Sequence, residues 1–130
     1  MTDDAVTWLI AGWQVATAIG ITGFWLTWFR RRHEDAWLPP GYVEHERVFV
    51  FPDAVCAVLL VVSAVLLVAE EPFGGSLALV AAGMLVFLGV IDAAYSVRQG
   101  LFARERGGVG NLAIVVAVVA LAAVLVVRYA

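Results

Sequence analysis

The chain has 130 residues, of which 63% are hydrophobic and only 15% charged, and its net charge is −3. A soluble domain of this length would be about one-half apolar and about one-quarter charged, so this composition indicates a membrane protein. The acidic balance argues against a nucleic-acid partner, and the single cysteine excludes an intrachain disulfide.

The apolar residues fall into four blocks separated by short charged segments, which is typical of a polytopic membrane protein. We predict a single all-α domain over residues 1–130, a bundle of four transmembrane helices at about 6–29, 51–69, 76–97 and 109–127. At about 1.5 Å per residue the first helix spans about 36 Å, enough to cross a hydrocarbon core of about 30 Å.

Helix 1 ends at three consecutive arginines, Arg30, Arg31 and Arg32, which are costly to place in lipid. Within the helix, Gly12, Ala16 and Gly20 are spaced by four residues and form one smooth stripe. Such a stripe allows a second helix to approach closely, so we expect it to be a packing face.

The loop from Arg30 to Arg47 contains Pro39-Pro40-Gly41, which forbids a continuous helix through it. Residues of metal-ligand type occur in this loop, but their spacing matches no known metal site. We therefore expect a solvated, charged loop lying against the lipid headgroups, with no metal and no cofactor. These residues are His33, Glu34, Asp35, Glu44, His45 and Glu46.

Pro52 suits the first turn of helix 2, where its missing N–H costs nothing, and Asp53 follows near the positive end of the helix dipole. Helices 2 and 3 are joined only by Glu70-Glu71-Pro72 and a Gly74-Gly75 turn, so they form an antiparallel hairpin. Helix 4 carries no charge until Arg128.

The arginines predict the orientation. The loops after helices 1 and 3 hold seven arginines, whereas the N-terminus, the hairpin turn and the C-terminal tail together hold only Arg128. The positive-inside rule therefore places both arginine-rich loops in the cytoplasm and both termini outside, in a multi-pass protein of the plasma membrane. The seven are Arg30, Arg31, Arg32, Arg47, Arg98, Arg104 and Arg106.

Polar residues inside apolar spans are candidates for a functional site because they are costly to bury in lipid. Asp92, Tyr95 and Ser96 share one face of helix 3, and Asp53 lies at the same end of the bundle. Together with Gln14 on helix 1 they form our candidate polar site, which would bind a cation or relay a proton. Each also has a structural interpretation: Asp53 as a helix cap, Asp92 as a partner of a neighbouring group, and Gln14 as a hydrogen bond between helices.

No catalytic motif is present, so the sequence favours a non-enzymatic membrane protein that associates with itself or with a larger membrane complex. The stripe on helix 1 and Ala113 and Ala117 on helix 4 support this interpretation. One alternative is a protein that binds or transports a small cation, an amine or a lipid through Asp92 and Asp53. Another is a lipid-modifying enzyme in which these acids donate protons.

Overall fold

The computed structural model describes residues 2–103 and 108–130, and within these residues all regular structure is helical. Four helices are long and apolar enough to span a membrane, which confirms the predicted fold class. They begin and end within three residues of the predicted bounds, and a short additional helix precedes the second of them. The elements are α1 (Asp3–Arg30), α2 (Tyr42–Val48), α3 (Val50–Val68), α4 (Phe73–Gln99) and α5 (Gly108–Tyr129).

The four long helices form a ring in which α1 packs on α3, α3 on α4 and α4 on α5, while α5 and α1 make few contacts. The Arg128 Nη2 atom lies 3.6 Å from the Asp3 Oδ1 atom, so both termini lie at one end of the bundle. We call this the terminal end and the opposite end, where α1 stops at Arg30, the arginine end. Arg104 and Arg106 lie outside the described residues.

The core is packed most closely in the terminal half of the bundle. Ala78, Ala81 and Ala82 of α4 are fully buried, and their small side chains let α3 and α5 approach. Leu60 and Leu121 fill the space between the helices. The outward faces are also apolar, with Val127 86% exposed. An apolar exterior of this extent is typical of a surface that faces lipid.

The hairpin between α3 and α4 closes through two hydrogen bonds at the end of α3. The Glu71 N–H donates to the Leu66 carbonyl at 2.9 Å, and the Glu70 N–H donates to the Leu67 carbonyl at 3.1 Å. This is the Schellman pattern, in which glycine usually occupies the left-handed position. Here Glu70 occupies it, with φ at 60°. The turn is therefore made with a strained, non-glycine residue.

Gly74 allows α4 to begin directly against α3. A Cβ atom at this position would lie 2.8 Å from the Leu67 backbone nitrogen and 3.0 Å from the Leu66 carbonyl carbon. Both of these are backbone atoms and cannot move aside as a flexible side chain would. Any side chain at position 74 would thus separate the two helices.

We predict that Glu70→Gly stabilises the protein, because a non-glycine residue in the left-handed region costs roughly 1–2 kcal/mol. Unfolding in detergent, followed by circular dichroism, should show a higher unfolding temperature. The matched control is Glu71→Gly, since Glu71 does not have a positive φ. A Glu70→Gly protein that is less stable than the wild type would show that the turn is not built this way.

Candidate functional site

A break between α2 and α3 directs α2 beneath the arginine end of the bundle. Pro52 has no N–H to donate to the Val48 carbonyl, and α2 ends at Val48. Pro52 therefore lies in the first turn of α3, as the sequence predicts. Only Phe49 separates α3 from α2, so Pro52 also lies near a break in an almost continuous helix. The His45 ring stacks on Tyr95 of α4, with ring centroids 3.9 Å apart and planes 15° apart. This contact attaches α2 to the end of α4.

Asp53 projects from the first turn of α3 toward α1. It lies three residues before Cys56 and seven before Leu60, both fully buried, so it belongs to the core-facing side of α3. The Trp25 indole N–H donates to its Oδ2 atom at 2.9 Å. The start of α3 has no side-chain cap, so the capping interpretation of Asp53 is wrong. Asp53 instead joins α3 to α1.

Asp92 lies on the core-facing side of α4, three residues after Gly89 and four before Ser96, both of which are buried. The Asp92 side chain itself is exposed, although neighbouring protein surrounds much of it. The Asp92 carboxylate is therefore accessible beside the core-facing side of α4, about two turns before the helix ends. With the residues that the structure describes, Asp92 makes no hydrogen bond and no ion pair.

Glu46 of α2 brings a third carboxylate near Asp92 and Asp53. It is half-buried and close enough to both Asp92 and Asp53 for their charges to repel one another. Asp53 and Asp92 also repel each other. The His45 ring of α2 also lies within electrostatic range of Asp92. Within the described ranges the one ion pair is that between Asp3 and Arg128, so no described arginine neutralises this cluster.

Aromatic side chains lie beside the carboxylates at this end of the bundle. Trp25 and Trp28 of α1 are 6% and 5% exposed, and their rings pack edge to face at 5.2 Å. His33 lies against Trp28, and its Nε2 atom is 3.0 Å from the Trp28 carbonyl oxygen. Tyr42 contacts the His33 ring and lies within electrostatic range of Glu46 and Asp92. We refer to Glu46, Asp53, Asp92, these rings and the stacked pair of His45 and Tyr95 as the acidic-aromatic cluster.

The Trp28 indole N–H is directed to the Tyr42 hydroxyl, with which it interacts as a hydrogen-bond donor. The contact is looser than an ideal hydrogen bond, and no other described residue accepts from the indole nitrogen. Buried polar groups are nearly always paired, and an unpaired donor costs about 1–3 kcal/mol. The contact with Tyr42 therefore joins α1 to α2 beside the cluster.

The carboxylates are close enough to interact but too widely spaced to ligate one metal ion. Among the described residues, no group of three or more His, Cys, Asp or Glu side chains is arranged to hold one. A divalent cation requires oxygen ligands at about 2.0–2.6 Å. The arrangement instead suits a larger cation whose charge is met by separate carboxylates and aromatic faces.

The structure separates the predicted site residues into two regions. Asp92, Asp53 and Tyr95 lie at the cluster, and Ser96 is buried one turn beyond Asp92. Gln14 lies eleven residues before Trp25 on α1, which is about 16 Å along the helix axis. The structure brings the first four together and leaves Gln14 apart from them.

Gln14 connects the helices in the terminal half. Its Nε2 atom donates to Ser63 Oγ at 3.0 Å, and Ser63 Oγ donates to the Gly74 carbonyl at 2.8 Å. This chain joins α1, α3 and α4, as the structural interpretation of Gln14 expects. Hydrogen bonds of this kind in membrane bundles contribute about 0.6 kcal/mol each on average.

Sequence reasoning missed the contribution of the loop to the site. Glu46 and His45 were expected to be solvated, whereas the structure places both in the cluster. The spacing of Tyr42, His45, Glu46 and Phe49 is i, i+3, i+4 and i+7, which predicts one helical face. This spacing could have predicted the short helix, but the Pro39-Pro40-Gly41 stretch before it indicated a loop.

We predict that Trp25 and Asp53 are energetically coupled. A double-mutant cycle of Trp25→Phe and Asp53→Ala, measured as free energies of unfolding in detergent, should give a coupling of about 1.5–3 kcal/mol, the range for a hydrogen bond to a charged group. The control cycle pairs Asp53→Ala with Trp8→Phe, because Trp8 is 64% exposed at the terminal end. If the effects of Trp25→Phe and Asp53→Ala on the free energy of unfolding simply add, the hydrogen bond between these two residues is contradicted.

Comparison of the chain with protein-family models, with curated proteins and with solved structures gave no match. The function is therefore argued from the geometry of the acidic-aromatic cluster.

Proposed function

We propose that this protein binds a small organic cation between Asp92, Asp53 and Glu46. The observation that carries the proposal is the accessible Asp92 carboxylate on the core-facing side of α4, repelled by two neighbouring carboxylates and unpaired within the described residues. Like charges in one site are costly unless a carboxylate takes up a proton or a cation binds among them. A bound ammonium group would relieve that repulsion.

The surroundings favour an organic cation over a metal ion. Among the described residues the carboxylates do not form a metal-binding group, and the aromatic rings of Trp25, Tyr42 and Tyr95 lie nearby. A cation over an aromatic ring gains about 0.5–2 kcal/mol, and the rings also exclude water from the bound group. An inorganic divalent ion would gain little from such surroundings, because it binds oxygen ligands and water.

The location of the site is part of the proposal. Four apolar helices are consistent with a multi-pass membrane protein. We place it in the plasma membrane with the arginine end in the cytoplasm, because five of the six described arginines lie at that end. The cluster would then lie at the cytoplasmic surface of the bilayer, where a cation from the cytoplasm or a lipid headgroup could reach it.

We predict that Asp92→Asn weakens cation binding without affecting insertion or folding. With purified protein in phosphatidylglycerol nanodiscs, calorimetric titration with propylamine should show saturable binding to the wild type. A charge-assisted hydrogen bond is worth about 1.5–3 kcal/mol, so the variant should bind at least about tenfold more weakly. An excess of Mg²⁺ should not displace the amine.

The matched control for this experiment is Asp35→Asn. Asp35 lies at the same end of the molecule but is exposed and outside the cluster. Its loss removes the same charge from the same surface and should leave propylamine binding unchanged. Equal binding by the wild type and the Asp92→Asn variant would refute the proposed role of Asp92, and absence of saturable binding would refute the proposed function.

A second candidate function, self-association, is supported by the stripe on α1. Gly12, Ala16 and Gly20 are exposed, and a Cβ atom at either glycine would meet nothing within 4 Å. The stripe therefore does not serve packing within this chain. Small residues on an outward helix face allow close approach of a second membrane helix. On this proposal the protein forms a homo-oligomer through α1 or joins a larger membrane complex.

We predict that Gly20→Leu disrupts such an oligomer. The mass of the protein in detergent, measured by light scattering with subtraction of the micelle, should fall from an oligomer to a monomer. Gly83→Leu is the control, because Gly83 is an equally open glycine on α4. A wild-type protein that is already monomeric in nanodiscs and detergent would rule out this candidate.

A further inference from the structure

We infer that an anionic phospholipid binds on the outer surface of the bundle, with an acyl chain in the groove between α1 and α3 and its phosphate at Arg30. The inference goes beyond the amine site and does not depend on it. It requires that the four long helices lie in a bilayer, for which each is long and apolar enough. This α1–α3 groove is lined by Ile19, Gly23 and Leu26 of α1 and by Ala57, Val58 and Val61 of α3.

The α1–α3 groove is open and large enough for a ligand. Its volume is about 520 Å³, within the range of about 300–1,000 Å³ that is usual for ligand sites. Ile19 and Val58 are 67% and 61% exposed, so the groove opens on the outer apolar surface of the bundle. A Cβ atom at Gly23 would meet nothing within 4 Å, so no described part of the chain fills the space over this residue.

The lining of the groove suits a hydrocarbon chain. Thr22 contributes the one polar side chain to the lining, and its hydroxyl donates to the Ala18 carbonyl at 2.9 Å. It therefore has no hydrogen left to donate to a ligand. Aliphatic carbon gains dispersion contacts from another apolar group and gives a polar ligand no partner. An acyl chain matches this surface.

Arg30 lies in line with the α1–α3 groove. The groove residues Leu26, Gly23 and Ile19 lie four, seven and eleven residues before it, a spacing that places all of them on one face of α1. Arg30 is about 6 Å beyond Leu26 along the helix axis. It is exposed and makes no ion pair with any described residue. A guanidinium group binds phosphate oxygens through paired hydrogen bonds, so a phosphate-binding side chain lies at the end of the groove.

The carboxylates of the acidic-aromatic cluster do not oppose an anionic headgroup in the groove. Asp53 shares the core-facing side of α3 with Cys56 and Leu60. Val58 follows Asp53 by five residues, which is a rotation of about 140° around a helix with about 3.6 residues per turn. The groove-lining side of α3 is therefore turned away from Asp53, and the nearest aligned charge on α1 is the positive charge of Arg30.

A second copy of this chain is the alternative occupant of the groove. Two copies related by a twofold axis along the membrane normal would bring their Arg30 side chains together at such an interface. Like charges repel there, whereas a phosphate is attracted. The stripe of Gly12, Ala16 and Gly20 lies nearer the terminal end, and Gly20 is about 15 Å from Arg30 along the axis. Self-association through the stripe therefore leaves this end of the groove to lipid.

The first test measures the choice of headgroup. The full chain in detergent is titrated with dioleoyl phosphatidylglycerol and with dioleoyl phosphatidylcholine, and bound lipid is counted by native mass spectrometry. The wild type should bind phosphatidylglycerol at least about fivefold more tightly, the gain expected from one arginine near an anionic headgroup. Arg30→Gln should reduce this preference by about fivefold. Arg98→Gln, which removes an exposed charge from the same end of α4, should keep it.

The second test fills the groove. The open space over Gly23 accommodates a leucine, so Gly23→Leu should fold, as checked by circular dichroism, and should bind both lipids several-fold more weakly. Gly83→Leu is the matched control, because Gly83 is an equally open glycine of α4 outside the groove. It should bind both lipids as the wild type does.

Three results would overturn the inference. Equal affinity of the wild type for the two lipids, or an unchanged preference in Arg30→Gln, would show that Arg30 does not hold the phosphate. Lipid binding by Gly23→Leu at the wild-type level would show that the acyl chain does not lie in the groove. A Gly23→Leu protein that loses an oligomeric mass but keeps its lipids would assign the groove to a second copy. The amine titrations of Asp92→Asn are independent of all three.

Discussion

The mutual repulsion of Asp92, Asp53 and Glu46 is the interaction on which this account depends. Three helices contribute these carboxylates to one end of an apolar bundle, and no described arginine pairs with them. Stability alone does not favour such an arrangement, because unpaired like charges near a low-dielectric interior are costly. A cation that binds among them converts the repulsion into attraction.

The sequence was sufficient to predict the four long helices, because each is an uninterrupted apolar run that ends at charges, prolines or glycines. It also predicted that Asp53 and Asp92 lie at the same end, since a short hairpin turn requires antiparallel neighbours. The hydrogen-bonding role of Gln14 followed from its position in an otherwise apolar span, and the structure supplies its partner, Ser63.

The position of α2 was less accessible to sequence reasoning. Pro39-Pro40-Gly41 indicates a loop, and the charges around it indicate solvent. Where His45 and Glu46 lie depends on the stacking of His45 on Tyr95, a contact between residues fifty positions apart in the chain. Local patterns predict that a short helix can form, whereas the surface it covers is determined by tertiary packing. Three of the groups in the cluster, Tyr42, His45 and Glu46, depend on that packing.

The most direct measurement is a carbon-13 NMR titration of the protein in nanodiscs, with its five aspartates labelled at the side-chain carboxyl carbon. The account predicts that propylamine shifts the Asp53 and Asp92 signals together along one saturable curve, while the signals of Asp3, Asp4 and Asp35 stay in place. If all five signals move alike and without saturation, or if none moves, the carboxylates at the arginine end do not form a cation site.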